Sequence, residues 1–113
     1  MKAQFDIWLA NLNPSKGTEP GKIRPVVIIQ SDLLNKVGHP STLVCPITSQ
    51  LSEEENVLRV KLDTFGTGLE QDSEVLIDQI RALDNQRLLQ RLGKIGADQS
   101  EELLWKLKAI LDI

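Results

Sequence analysis

Apolar and polar residues alternate along residues 5–12 (FDIWLANL), in a stretch rich in β-branched and aromatic side chains. That period of two predicts a half-buried strand, stopped by Asn13-Pro14. Residues 15–22 (SKGTEPGK) hold two glycines, a proline and no apolar side chain, and read as an exposed loop. Residues 24–30 (RPVVIIQ) set four β-branched apolar residues in a row. Such a run has no polar face, which predicts a strand buried on both sides. Pro25 suits the start of that strand because it has no N–H to give, and its ring pushes Arg24 into extended backbone. A short helical turn capped by Ser31 or Asp32 and reaching Lys36 follows, broken by Gly38-His39-Pro40.

Two more strands are expected at 42–48 (TLVCPIT) and, past an acidic loop, at 57–62 (VLRVKL), where Arg59 and Lys61 share a face. For residues 73–83 (SEVLIDQIRAL), Val75, Ile77 and Ile80 beside a Gly-rich turn favour one long strand over a helix. Asp84 is placed to cap a helix through Leu92, and Asp98 with Glu101 has the spacing of a capping box for a C-terminal helix. On that helix Leu103, Leu107, Ile110 and Leu111 form one apolar stripe. Trp105 lies off the stripe and reads as a partly covered surface ring, with a partner contact as the sharper alternative. About five short strands ahead of most of the helix, without strand–helix alternation, predict a mainly β fold: a small curled antiparallel sheet with a C-terminal helix. There is no internal repeat.

The length, 113 residues, leaves room for one domain, residues 1–113, and 41% hydrophobic with 26% charged residues places it among globular rather than disordered chains. Thirteen Lys+Arg against sixteen Asp+Glu give a net charge of -3, so any nucleic-acid site must be local. Cys45 has no partner for an internal disulfide, and His39 cannot join it in a four-ligand zinc site. Cys45 reads as a buried, inert thiol and His39 as a surface histidine. Aromatic residues, at 4%, are too few for a platform that stacks bases or Pro-rich peptides. The start of the chain lacks an export pattern and no run of ~18 apolar residues occurs, so a cytoplasmic location is expected.

Among chemistry-bearing residues, the loop from Lys16 to Lys22 has glycines but not the GxxxxGK[ST] spacing of a phosphate-cradling loop. Glu70, Asp72, Glu74 and Asp78 share a face in an extended reading, but so do Leu76 and Ile80. These carboxylates therefore read as solvated or cap-making rather than as a magnesium site, and no metal or cofactor is expected. Thr48-Ser49-Gln50 offers hydroxyl and amide groups suited to phosphate oxygens. Arg24, Thr48, Gln79 and Arg81 converge only if the sheet curls.

Taken together, GTEPGKIRPVVIIQSD, CPITSQ and LEQDSEVLIDQIRALDNQRL followed by KIG, after the opening DIWLANLNP, strongly resemble the MazF/PemK type of toxin endoribonuclease. The resemblance covers most of the chain. It implies an SH3-like barrel with an added C-terminal helix, a homodimer, and metal-independent cleavage of single-stranded RNA at short motifs. It also implies a cognate antitoxin, acidic and partly disordered. Carried over by position, Arg24 of RPVV and Thr48 of PITS become the catalytic residues. RNA contacts fall on Lys16, Gly17, Thr18, Glu19, Gly21, Ser49, Gln50, Gln79 and Arg81. Glu19 and Asp78 are the candidates for general base. Some relatives of this type place a histidine in the first loop, where this chain has Glu19-Pro20. The alternative from another class is a CcdB-like toxin that binds DNA gyrase. Such proteins carry a terminal Trp-Gly-Ile, whereas this chain ends Leu111-Asp112-Ile113.

Overall fold

The structure is a computed structural model that describes residues 2–14, 17–18, 22–54 and 56–113. Seven strands, β1 (Asp6–Asn11), β2 (Ile23–Ile28), β3 (Ser41–Thr48), β4 (Arg59–Leu62), β5 (Ser73–Leu76), β6 (Arg81–Asp84) and β7 (Leu88–Lys94), join α1 (Asp32–Lys36) and α2 (Ala97–Leu111). All pairings are antiparallel, in the order β4-β5-β3-β2-β1-β7 with β6 also on β3. The sheet curls without closing, since β4 and β7 remain its two ends.

The run of four β-branched residues in and beyond β2 is buried on both sides, as its lack of a polar face requires. Val26 and Ile28 pack with Ala10, Leu12, Val44 and Leu83 in one cluster. Val27 and Ile29 point the other way, into the larger cluster that α2 covers with Leu103. Leu107 and Ile110 continue that contact at its edge, while Leu111, expected in the stripe, is half exposed. Trp105 is exposed on the outer face of α2.

Three expectations need correction. Residues 73–83 are not one strand: β5 and β6 are separated by a 3-10 turn, Ile77–Gln79. The pairing Ile47↔Val75, continued, would set Val44 opposite Asp78, yet Val44 faces Arg81, three residues on. The turn takes up those three residues. Asp84 caps no helix; its carboxylate accepts the Gln86 N–H (2.8 Å) of a single 3-10 turn, and the chain continues as β7 against β1. Here sheet pairing overrides a local helix signal. Asp98 opens no capping box either, because α2 begins one residue before it, with Gly96 at the cap and no side-chain bond.

Candidate functional site

The site begins with the hydrogen-bond phase of β2. The Leu12 N–H donates to the Lys22 carbonyl (2.8 Å) and the Phe5 N–H to the Ile28 carbonyl (2.7 Å), so even-numbered residues of β2 bond toward β1. The Ile29 N–H donates to the Leu43 carbonyl (2.9 Å), so odd-numbered residues bond toward β3. Pro25, third in β2, therefore turns its nitrogen toward β3, where it has no hydrogen to give. The β2–β3 register ends at Val26↔Pro46. Carried two residues further, it sets Arg24 opposite Thr48 on the same face of two strands that have stopped bonding.

At this gap lies a cavity of about 560 Å³, lined by Lys22, Arg24, Thr48, Ser49, Gln50 and Glu70 together with apolar residues such as Leu9, Ile47 and Leu92. Its size falls in the range of ligand sites. Arg24 pairs with Ala10 of β1. Thr48 Oγ1 accepts the Gln50 N–H at 3.1 Å, which fixes the oxygen and leaves the hydroxyl proton to be donated outward. The wall at Glu70 rests on a close backbone approach. Gly68, at φ +73°, lies so near β7 that a Cβ there would stand 2.1 Å from the Leu92 carbonyl oxygen. Only glycine fits, and the contact carries Glu70 to the cavity.

Beside the cavity, the Glu74 carboxylate has no exposed surface. Arg59 Nη1 donates to its Oε1 (2.8 Å) and to the Gln50 carbonyl (2.9 Å). The Ser52 N–H donates to Oε1 (3.0 Å), and Ser52 Oγ lies 3.1 Å from Oε2. Burial pushes the Glu74 carboxyl up, but the Arg59 and Ser52 donors outweigh it and hold it below the ordinary glutamate range. Burial, with the Asp78 charge, pushes the Cys45 thiol up to about 12, which makes it a packing residue and no nucleophile.

Of the residues singled out from sequence, Arg24, Thr48, Ser49 and Gln50 come together at this cavity. Arg81 pairs with Val44, four residues along β3 from Thr48, about 13 Å by strand rise. Neither it nor Gln79 nor the exposed Asp78 lines the cavity. Gly17 and Thr18 are exposed, and Lys16, Glu19 and Gly21 lie outside the described residues. Among the described residues no group of three or more His, Cys, Asp or Glu side chains is placed to hold a metal ion. Lys22 and Glu70 line the site and were not read as such from sequence. Lys22 carried a signal, standing two residues before Arg24; Glu70 was read only as one of four same-face carboxylates, with nothing near it in sequence to tie it to Arg24.

Comparison with known proteins shows the family and the fold. Residues 3–111 match the family described as PemK-like, MazF-like toxin of type II toxin-antitoxin system. The chain is 34% identical over 110 residues to Endoribonuclease EndoA of Bacillus subtilis (strain 168), covering 95% of this chain and 94% of that one. The crystal structure of MazF (Form-I) from Deinococcus radiodurans superposes with a TM-score of 0.83 at 26% identity, over 99% of this chain and 97% of the other. The MazE-MazF complex (Form-II) of the same organism gives 0.78 at 26% identity, over 99% and 96%. The phase of β2 and the cavity it opens thus belong to a member of the PemK-like, MazF-like toxin family of type II toxin-antitoxin systems.

Proposed function

We propose that this protein is an endoribonuclease toxin that cleaves single-stranded RNA at the cavity between Arg24 and Thr48. The observation that carries the reading is the shared face of those two residues where the β2–β3 ladder ends. RNA brings its own nucleophile, the 2′-hydroxyl beside the scissile phosphate. Its attack forms the 2′-O–P bond and breaks the P–O5′ bond, leaving a 2′,3′-cyclic phosphate and a 5′-hydroxyl. The 2′ proton passes to a base and another proton reaches the leaving oxygen. No step of this sequence calls for a metal ion. Arg24 supplies charge-assisted donors to the phosphate oxygens, and Thr48 one neutral donor to an oxygen that gains charge in the phosphorane. Ser49, Gln50, Gln79, Arg81 and the loop of Lys16, Gly17, Thr18, Glu19 and Gly21 serve RNA contact in this reading. For the base, Glu19 is joined by Glu70, which lines the cavity, whereas Asp78 does not.

The protein acts as a homodimer in the cytoplasm and is neutralised by an acidic, partly disordered antitoxin. The MazE-MazF complexes among its structural neighbours support that partner. The test is a long defined single-stranded RNA incubated with the purified protein in EDTA. Cleavage at a short motif with cyclic-phosphate ends is expected, and Arg24→Ala or Thr48→Ala lowers the rate about 100-fold or more. No cleavage, or cleavage untouched by both substitutions, overturns the proposal.

A further inference from the structure

We propose that Arg59 and Glu74 are positioning residues that act through Gln50 to hold the Thr48 hydroxyl in place; this rests on the reading of Thr48 as a phosphate donor. Glu74 of β5 pairs directly with Thr48 of β3, so the buried carboxylate sits beside the point where β3 gives way to the loop that lines the cavity. Among the described residues, the side-chain bonds that Arg59 and Glu74 make outside the pair go to that loop. Arg59 Nη1 bridges Glu74 and the Gln50 carbonyl, Ser52 is held by both carboxylate oxygens, and the Gln50 N–H donates to Thr48 Oγ1.

The network is also braced from the helix. Lys106 Nζ on α2 donates to the Arg59 carbonyl (2.8 Å) and to the Asn56 carbonyl (3.2 Å), and pairs with Glu102 (2.8 Å). The backbone from which the Arg59 guanidinium projects is thereby anchored independently of the sheet. Stability alone is a weak account of this pair, whose carboxylate is buried while its Arg59 side is 29% exposed, because replacing a buried ion pair by apolar residues is often neutral. What the pair adds is direction: it holds the Gln50 carbonyl, and the N–H on the other side of the same Cα orients one hydroxyl.

The experiment combines Arg59→Ala and Glu74→Gln with kinetics on a defined RNA and with hydrogen exchange at the Gln50 amide. Arg59→Ala is expected to lower kcat about tenfold or more with KM changed less than about twofold. Exchange at the Gln50 amide is expected to quicken about tenfold, since its acceptor no longer stays in place. In a Thr48→Ala background, Arg59→Ala should cost no further rate, because the group it positions is gone. An unchanged kcat, or an equal loss in both backgrounds, overturns the proposal. Should Arg59→Ala not fold, Glu74→Gln, which keeps the shape and removes the charge, carries the same comparison. A wild type that cleaves no RNA defeats the functional reading alone. The Gln50 amide, which needs no substrate, then decides the link: faster exchange in the variant upholds it and unchanged exchange ends it.

Discussion

At the Glu74 carboxyl, burial and pairing act in opposite directions, and the Arg59 and Ser52 donors prevail. In the unfolded chain this group takes up a proton near pH of about 4.3; in the folded chain it does so lower. Between the two values the unfolded state binds the proton and the folded state does not. The stabilisation is therefore complete above the ordinary glutamate range and is lost as pH falls through the folded value. Glu74→Gln should lower the melting temperature at neutral pH, with the gap to wild type narrowing on acidification below about pH 4. Thermal scans across that range check it, and a gap that stays constant would show that the ionised form contributes nothing. Arg24 and Thr48 were legible as single residues because family-like motifs surround them. Glu74 was read only as one of four same-face carboxylates, since neither Arg59 nor Ser52 is near it in the chain.

Among the elements, α2 was readable from its apolar period, and Leu103, Leu107 and Ile110 face the larger cluster as that period requires. Leu103 is fully buried, so Leu103→Ala should destabilise by about 2–5 kcal/mol in denaturant unfolding. Trp105, 63% exposed on the same helix, should tolerate alanine within about 0.5 kcal/mol. Similar losses at both positions would mean that the helix packs otherwise. The break between β5 and β6 was not readable, because residues 73–83 hold no proline or glycine to mark it. What breaks the strand is a three-residue mismatch between two pairings along β3, a property of the partner strand. The strand β7 was hidden in the same way behind the cap signal of Asp84.

For the whole molecule, the net charge of -3 means that long-range attraction does not favour RNA, and under the proposed function binding falls to a few local cations. With two or three phosphates neutralised on a single strand, a rise in salt of about fourfold should weaken RNA binding about tenfold. Fluorescence titration of a catalytically silenced variant checks this, and a much steeper slope would reveal a wider basic surface. Sequence reading reached the curled sheet and the family, and it paired Arg24 with Thr48 only by resemblance. The physical cause of their meeting lay in backbone phase. Pro25 leaves one seam of the sheet unzipped for want of a single hydrogen atom, and the notch proposed for catalysis lies at the open seam. Pro25→Val restores that atom opposite Ile47, and the seam should then run on to its end. The result would be a hardier protein and a slower one, with a higher melting temperature and a lower turnover, so that sturdiness and toxicity would be set against each other at one residue.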